Sequence, residues 1–116
     1  MFALTVSQRF ELYMRPTDMR KGFNGLSGLV ANDLDRSPDR GTVYIFINRA
    51  RNKVKLLRRQ SGGFVLYYKR LESGTFELPE YDPEVGSLRL GYAQLILLID
   101  GIAITNMARK KRYEKV

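Results

Sequence analysis

With 116 residues, 44% of them apolar, the chain is long enough for one domain with a core of useful size. It contains no cysteine and no histidine, which excludes a disulfide framework, a thiolate nucleophile, a Cys- or His-ligated metal and the commonest general base. The formal net charge is +8, and the excess is local. From Gly41 to Leu71 there are eight basic residues (Arg49, Arg51, Lys53, Lys55, Arg58, Arg59, Lys69 and Arg70) and no acidic one. A second cluster, Arg109, Lys110, Lys111, Arg112 and Lys115, faces only Glu114. A basic segment without counter-charges repels itself unless an anion sits on it, and the commonest large cellular anion is nucleic acid.

In chain order, Phe10, Leu12 and Met14 alternate with Glu11 and Tyr13, which predicts a short strand. Pro16 discourages helix before it, Thr17 suits an N-cap, and Asp18 suits the positive end of a helix dipole. Met19, Phe23, Leu26, Val30 and Leu34 then follow the stripe of one amphipathic helix, ending near Asp35. Gly22, Gly25 and Gly28 within it read as small residues that let the helix pack close to a sheet. Ser37-Pro38-Asp39-Arg40-Gly41 is a turn. Three strands in a meander follow: Gly41 to Asn48, Lys53 to Gln60 and Phe64 to Leu71, with connections too short for anything but antiparallel neighbours. A fourth piece, Thr75 to Leu78, stops at Pro79, and Pro79 to Ser87 reads as an acidic loop. Tyr92 to Ile99 reads as a second, shorter helix ending near Gly101. Residues 1–106 are thus expected to form a single α+β domain: an antiparallel β-meander sheet packed by one amphipathic helix, with a short second helix near the C-terminus. Residues 107–116 are expected to be a mobile basic tail. The longest apolar run, Leu95 to Ile99, is core-sized, and the N-terminus lacks the basic start and apolar block of a signal peptide.

Strand alternation assigns side chains to faces once the register is set. Pairing Asn48 with Lys53, and Gln60 with Phe64, collects Val43, Ile45, Ile47, Val54, Leu56, Leu66 and Tyr68 on one face. That face is expected to be the core under the helix. The other collects Tyr44, Phe46, Leu57, Val65 and Tyr67 with Lys53, Lys55, Arg59 and Lys69. Aromatics interleaved with cations stack bases and hold phosphates. A one-residue slip at the second turn would move Tyr68 and Arg70 to the exposed face instead. Lysines and arginines on a half-exposed sheet are ordinarily a solvated face; the missing acids set this one apart, because solvated faces mix signs.

Nothing in the pattern singles out a catalytic group or a metal ligand set. Asp18, Asp33, Asp35 and Asp39 lie where acids serve caps and turns, and Glu80, Asp82 and Glu84 read as a solvated loop. Gly62-Gly63 is a turn, since no phosphate-loop Lys-Ser/Thr follows it. No cofactor is expected. A metal-dependent nuclease built from carboxylates and lysine is the remaining enzymatic reading.

Arg15-Pro16-Thr17-Asp18-Met19-Arg20-Lys21-Gly22-Phe23-Asn24-Gly25-Leu26 resembles the signature of the TnpB-type accessory proteins, encoded in the second reading frame of insertion sequences of the insertion sequence 66 family. Val43 to Arg49, Lys53 to Leu57, Gly63 to Phe76, Ala93 to Leu95 and Asp100 to Ile102 resemble later blocks of the same family, in order. The likeness runs from Phe10 to Ile102. Arg58-Arg59-Gln60 stand where the family often carries a tryptophan and an acid, and Asp100 replaces the more usual Glu. The resemblance implies a role in transposition of a bacterial mobile element, beside a separate transposase that carries the DNA-cutting carboxylates.

Two readings follow for a soluble cytoplasmic protein of this kind. In the first it is a non-enzymatic DNA-binding factor acting at the element ends. Arg49, Arg51, Lys53, Lys55, Arg58, Arg59, Lys69 and Arg70 hold phosphates, Tyr44 and Tyr67 stack, and Arg20 and Lys21 extend the contact. In the second it is an adaptor whose sheet edge or acidic loop docks the transposase.

Overall fold

The computed structural model describes residues 8–37, 39, 41–79 and 84–100. They form β1 (Arg9–Tyr13), α1 (Phe23–Asn32), β2 (Thr42–Ile47), β3 (Lys53–Gln60), β4 (Gly63–Arg70), β5 (Ser87–Leu90) and α2 (Tyr92–Ile99). The five strands make one sheet in the order β4-β3-β2-β1-β5. The β2–β3–β4 meander is antiparallel. β1, however, runs parallel to β2, with Phe10 beside Val43 and Leu12 beside Ile45. The connection between them contains α1, and a crossover through a helix is what returns a strand in the same direction. The sheet is therefore mixed, not antiparallel throughout. β5, at the end of the expected acidic loop, pairs antiparallel with β1 and forms one edge. The expected Thr75–Leu78 strand is instead an irregular stretch whose Phe76 is fully buried and whose backbone N–H donates to Arg51 O at 2.6 Å.

Both faces of the sheet are covered. Every residue of β2, TVYIFI, is buried, as expected of a strand packed on two sides. On one face Phe10, Leu12, Val43, Ile45, Ile47, Val54 and Leu56 pack with Phe76 and with Leu95 and Leu98 of α2. On the other, Tyr13, Tyr44, Phe46 and Leu57 pack with Leu26 and Val30 of α1. The Val43 face is thus core, but under α2 and the Phe76 stretch, not under the first helix. The face of Tyr44, Phe46 and Leu57, expected to be open, is the one α1 covers. Fully burying each of Phe10, Phe46 and Phe76 contributes roughly 1.5–3 kcal/mol.

The first hairpin has the expected register, Asn48 N–H donating to Lys53 O at 3.2 Å. The second does not. Gln60 lies opposite Gly63, so the loop is Ser61-Gly62 alone. Gly62 has φ +81°, a conformation glycine adopts without steric penalty. This one-residue shift places Phe64, Leu66, Tyr68 and Arg70 on the α1 side, and Val65, Tyr67 and Lys69 on the α2 side.

α1 starts at Phe23, later than Thr17 and Asp18 foretold. The Thr17 N–H donates to Ile47 O at 2.8 Å, which ties the segment to the end of β2. The Asp18 carboxylate accepts the Arg20 N–H at 2.9 Å and so caps a turn ahead of the helix. The glycines of α1 do not serve close packing on the sheet. A Cβ at Gly22, just before the helix, would meet nothing within 4 Å, one at Gly28 only Asn32 Nδ2 at 4.0 Å, and the nearest atoms to one at Gly25 are those of the Lys21 side chain, at 3.0 Å and beyond. α2 spans the residues expected of it, and its start is closed by Gln94 Oε1 accepting the Gly91 N–H at 2.7 Å. The boundary at residue 106, the basic tail, Glu80 and Asp82 lie outside the described residues.

Candidate nucleic-acid interface

The open end of the β3–β4 hairpin, on the α1 side, carries a concentrated group of cations. Lys53 and Arg70 lie directly opposite each other across the two strands. Like charges so placed destabilise a sheet unless something negative joins them. Among the described residues, neither Lys53 nor Arg70 nor the nearby exposed Arg49 has a carboxylate partner. Beside them opens a cleft of about 640 Å³ lined by Pro16, Thr17, Asp18, Met19, Arg20, Asn48, Arg49, Ala50, Lys53 and Tyr68. The turn before α1 forms one wall and the β2–β3 loop another. That loop is stiffened by Asn48, whose Oδ1 accepts the N–H groups of Asn52 and Lys53, both at 3.0 Å, while its Nδ2 donates to Asn52 Oδ1 at 2.7 Å. Among the described residues of the lining the one carboxylate, Asp18, is engaged by the Arg20 guanidinium at 2.6 Å. Hydrogen bonds from Arg20 hold its pKa down at about 2.

The residues expected to form one binding face separate into groups. Arg20, Arg49, Lys53 and Arg70 come together around the half-exposed Tyr68. Arg51 is exposed in the neighbouring loop, in the left-handed region at φ 58°. Lys21 is exposed just before α1. Arg59 shares the face of Lys53 but lies six residues along β3, roughly 20 Å away at strand rise. Arg58 points to the opposite face. Lys55 is buried: its ammonium donates to Met19 O at 2.6 Å and Lys21 O at 2.8 Å, and lies 4.8 Å from the centre of the Tyr68 ring. Tyr44 is also buried, under α1, and Tyr67 packs into the α2-side core, so neither ring is offered as an open stacking platform. Lys69 turns to the α2 side, where its ammonium donates to Ile99 O at the end of that helix. Of the sheet's described tyrosines, it is Tyr68 that presents its ring to solvent, and the sequence register had assigned it to the core.

A second polar group, not singled out in the sequence, lies under the C-terminal end of α1. Glu11 is buried, accepts the Ser87 hydroxyl at 3.0 Å, and pairs with Arg36 at 3.2 Å. This bond raises the Arg36 pKa, and the Tyr44 hydroxyl stands beside the same guanidinium. The Tyr13 hydroxyl donates to Asp33, and burial together with that carboxylate pushes its pKa up to about 12. Arg9 pairs with Asp39 at 3.0 Å. Each of these contacts joins β1 to the segment after α1 or to β5. They fasten the fold, and their only early signal was an acid alternating with apolar residues in a strand otherwise buried.

Among the described residues, fold and surface together define an α+β protein with a mixed five-stranded sheet, two helices and an uncompensated basic end. The chain belongs to the family of IS66 Orf2-like proteins, whose model matches residues 8–109. It is therefore an accessory protein of an insertion sequence, and the family is not a known enzyme family. It is 32% identical over 110 residues to the uncharacterized protein y4jC of Sinorhizobium fredii, covering 93% of this chain and 92% of that one. It is 35% identical over 86 residues to y4hO of the same organism, covering 74% and 73%. No solved structure matches the chain. Among the described residues, no helix is long and apolar enough to cross a membrane.

Proposed function

We propose that the protein is a non-enzymatic DNA-binding accessory factor that works in the cytoplasm at the ends of its element, beside the transposase. The observation that supports this reading is the Lys53–Arg70 pair: two cations placed face to face, with Arg49 near them and no carboxylate among the described residues to balance them. A phosphate backbone supplies the missing charge. Binding of this kind releases counterions, so affinity falls with salt by roughly 0.9 units of log-log slope per phosphate neutralised. The test is binding to labelled duplex DNA, terminal repeats included, across a salt series, for the natural chain and a Lys53→Ala/Arg70→Ala variant. The expected result is steep salt dependence whose slope flattens by about two units in the variant. Salt-independent binding, or an unchanged slope in the variant, refutes the reading.

An adaptor role rests on a different observation. β4 is an edge strand eight residues long, and such an edge can accept a strand from another protein. In that case the transposase forms a complex that survives nuclease treatment and the Lys53/Arg70 substitutions, but is lost when a proline replaces Val65.

A further inference from the structure

We propose that the cleft beside Lys53 holds a single unpaired nucleotide, its base stacked on Tyr68 and its phosphate on Arg49 and Lys53; this rests on the DNA-binding reading above. Tyr68 is 50% exposed, whereas Tyr13 and Tyr44 are buried. The ring does not lie loose on the surface. The Lys55 ammonium sits against it, 4.8 Å from its centre, and is itself anchored to Met19 O and Lys21 O. The ring thus has a fixed cation over it and is itself part of the cleft lining. A flat aromatic surface, backed by a fixed cation and flanked by unbalanced ones, matches the two halves of a nucleotide: a π-face and a phosphate. The volume of about 640 Å³ falls within the range of small-ligand sites.

A base inside a duplex offers the cleft only its edge. To lay its face on Tyr68 it must leave the stack, as it does at a bulge, an overhang or a strand end. The lining further indicates that the site reads the presence of such a base and not its identity. Asn48 directs its amide into its own loop. Asp18 is held by Arg20. Stacking itself tolerates every base, because each has a π-face.

The experiment compares the full chain's affinity for a fully paired duplex and for the same duplex carrying one unpaired nucleotide, each of the four bases in turn. Tyr68→Ala and Tyr68→Phe are measured alongside, with urea midpoints to verify folding. The natural chain is expected to bind the bulged duplex about tenfold more tightly, which is about 1.4 kcal/mol and within what one stacked base contributes. The four bases should agree within about threefold. Tyr68→Phe keeps the preference for the bulge, and Tyr68→Ala loses it. With 5-iodouracil as the unpaired base, irradiation is expected to attach the DNA to the peptide containing Tyr68. Paired-duplex binding without any preference for the bulge, or a preference that survives in Tyr68→Ala, overturns the nucleotide site and leaves the basic surface standing. Failure to bind either DNA overturns both.

Discussion

In a Lys55→Met variant the ammonium is removed while most of the side-chain stem remains. Two carbonyls, Met19 O and Lys21 O, then lose a charged donor. Hydrogen bonds to charged groups are worth about 1.5–3 kcal/mol each. Against that loss, the protein no longer buries an ammonium, a penalty of several kcal/mol, and methionine still fills the stem's place against Tyr68. The net expectation is a loss of about 2 kcal/mol in stability. With a urea m-value of about 2 kcal/mol/M, the unfolding midpoint drops by about 1 M at unchanged m. Lys53→Ala, two residues along the same strand face, removes a cation that makes no described side-chain bond. Its stability is expected to stay within about 0.5 kcal/mol of the natural chain, while its DNA affinity falls and its salt slope flattens by about one unit. If Lys55→Met unfolds at the natural midpoint, or Lys53→Ala is destabilised as much, the division between a structural and a ligand-facing lysine is wrong.

Gly28→Ala is expected to raise Tm by about 3 °C, because a helix gains up to about 1 kcal/mol from alanine and the new methyl meets only Asn32 Nδ2 at 4.0 Å; a fall in Tm would restore the close-packing explanation of these glycines. Tyr13 holds its proton to about 12 in the folded protein but only to about 10 when unfolded. Its contribution is complete below pH 10 and is lost as pH rises toward 12. Urea midpoints at pH 8, 10 and 11 should therefore decline more steeply for the natural chain than for Tyr13→Phe, and equal slopes would contradict the assignment. Lys69→Met removes the donor at the C-terminal end of α2, and amide exchange in α2 is expected to quicken by about fivefold relative to α1, matching a loss of about 1 kcal/mol.

Local chemistry made some elements legible. The β2–β3 register follows from Asn48, whose side chain closes its own loop. α2 follows from a glycine start and a continuous apolar run of fitting length. Elsewhere the deciding contact lay far along the chain. Ser61-Gly62-Gly63 permits a two- or a three-residue loop, and that single residue decides whether Tyr68 or Tyr67 faces the α1 side. Thr17 and Asp18 have the chemistry of helix caps, yet the Thr17 N–H is taken by Ile47 O, thirty residues away. Alternation revealed β1 as a strand but not its parallel partner. The run TVYIFI did announce burial on both faces, a signal that counting only alternate residues concealed. For the basic residues, composition located the excess of charge; only packing distinguishes the anchored Lys55 and Lys69 from the unbalanced Lys53 and Arg70.

Among the described strands β1 comes first in the chain and is among the last completed. Strands β2 to β4 each pair with their neighbour in sequence, so this hairpin region assembles locally as it is synthesised. β1 instead waits for β5: Glu11 meets Ser87 across 76 positions of chain. Until Leu90 is available, the row Phe10 and Leu12 presents a bare, apolar edge, the kind that recruits other chains into aggregates. A chain that lacks β5 is therefore expected to keep this edge uncovered and to aggregate.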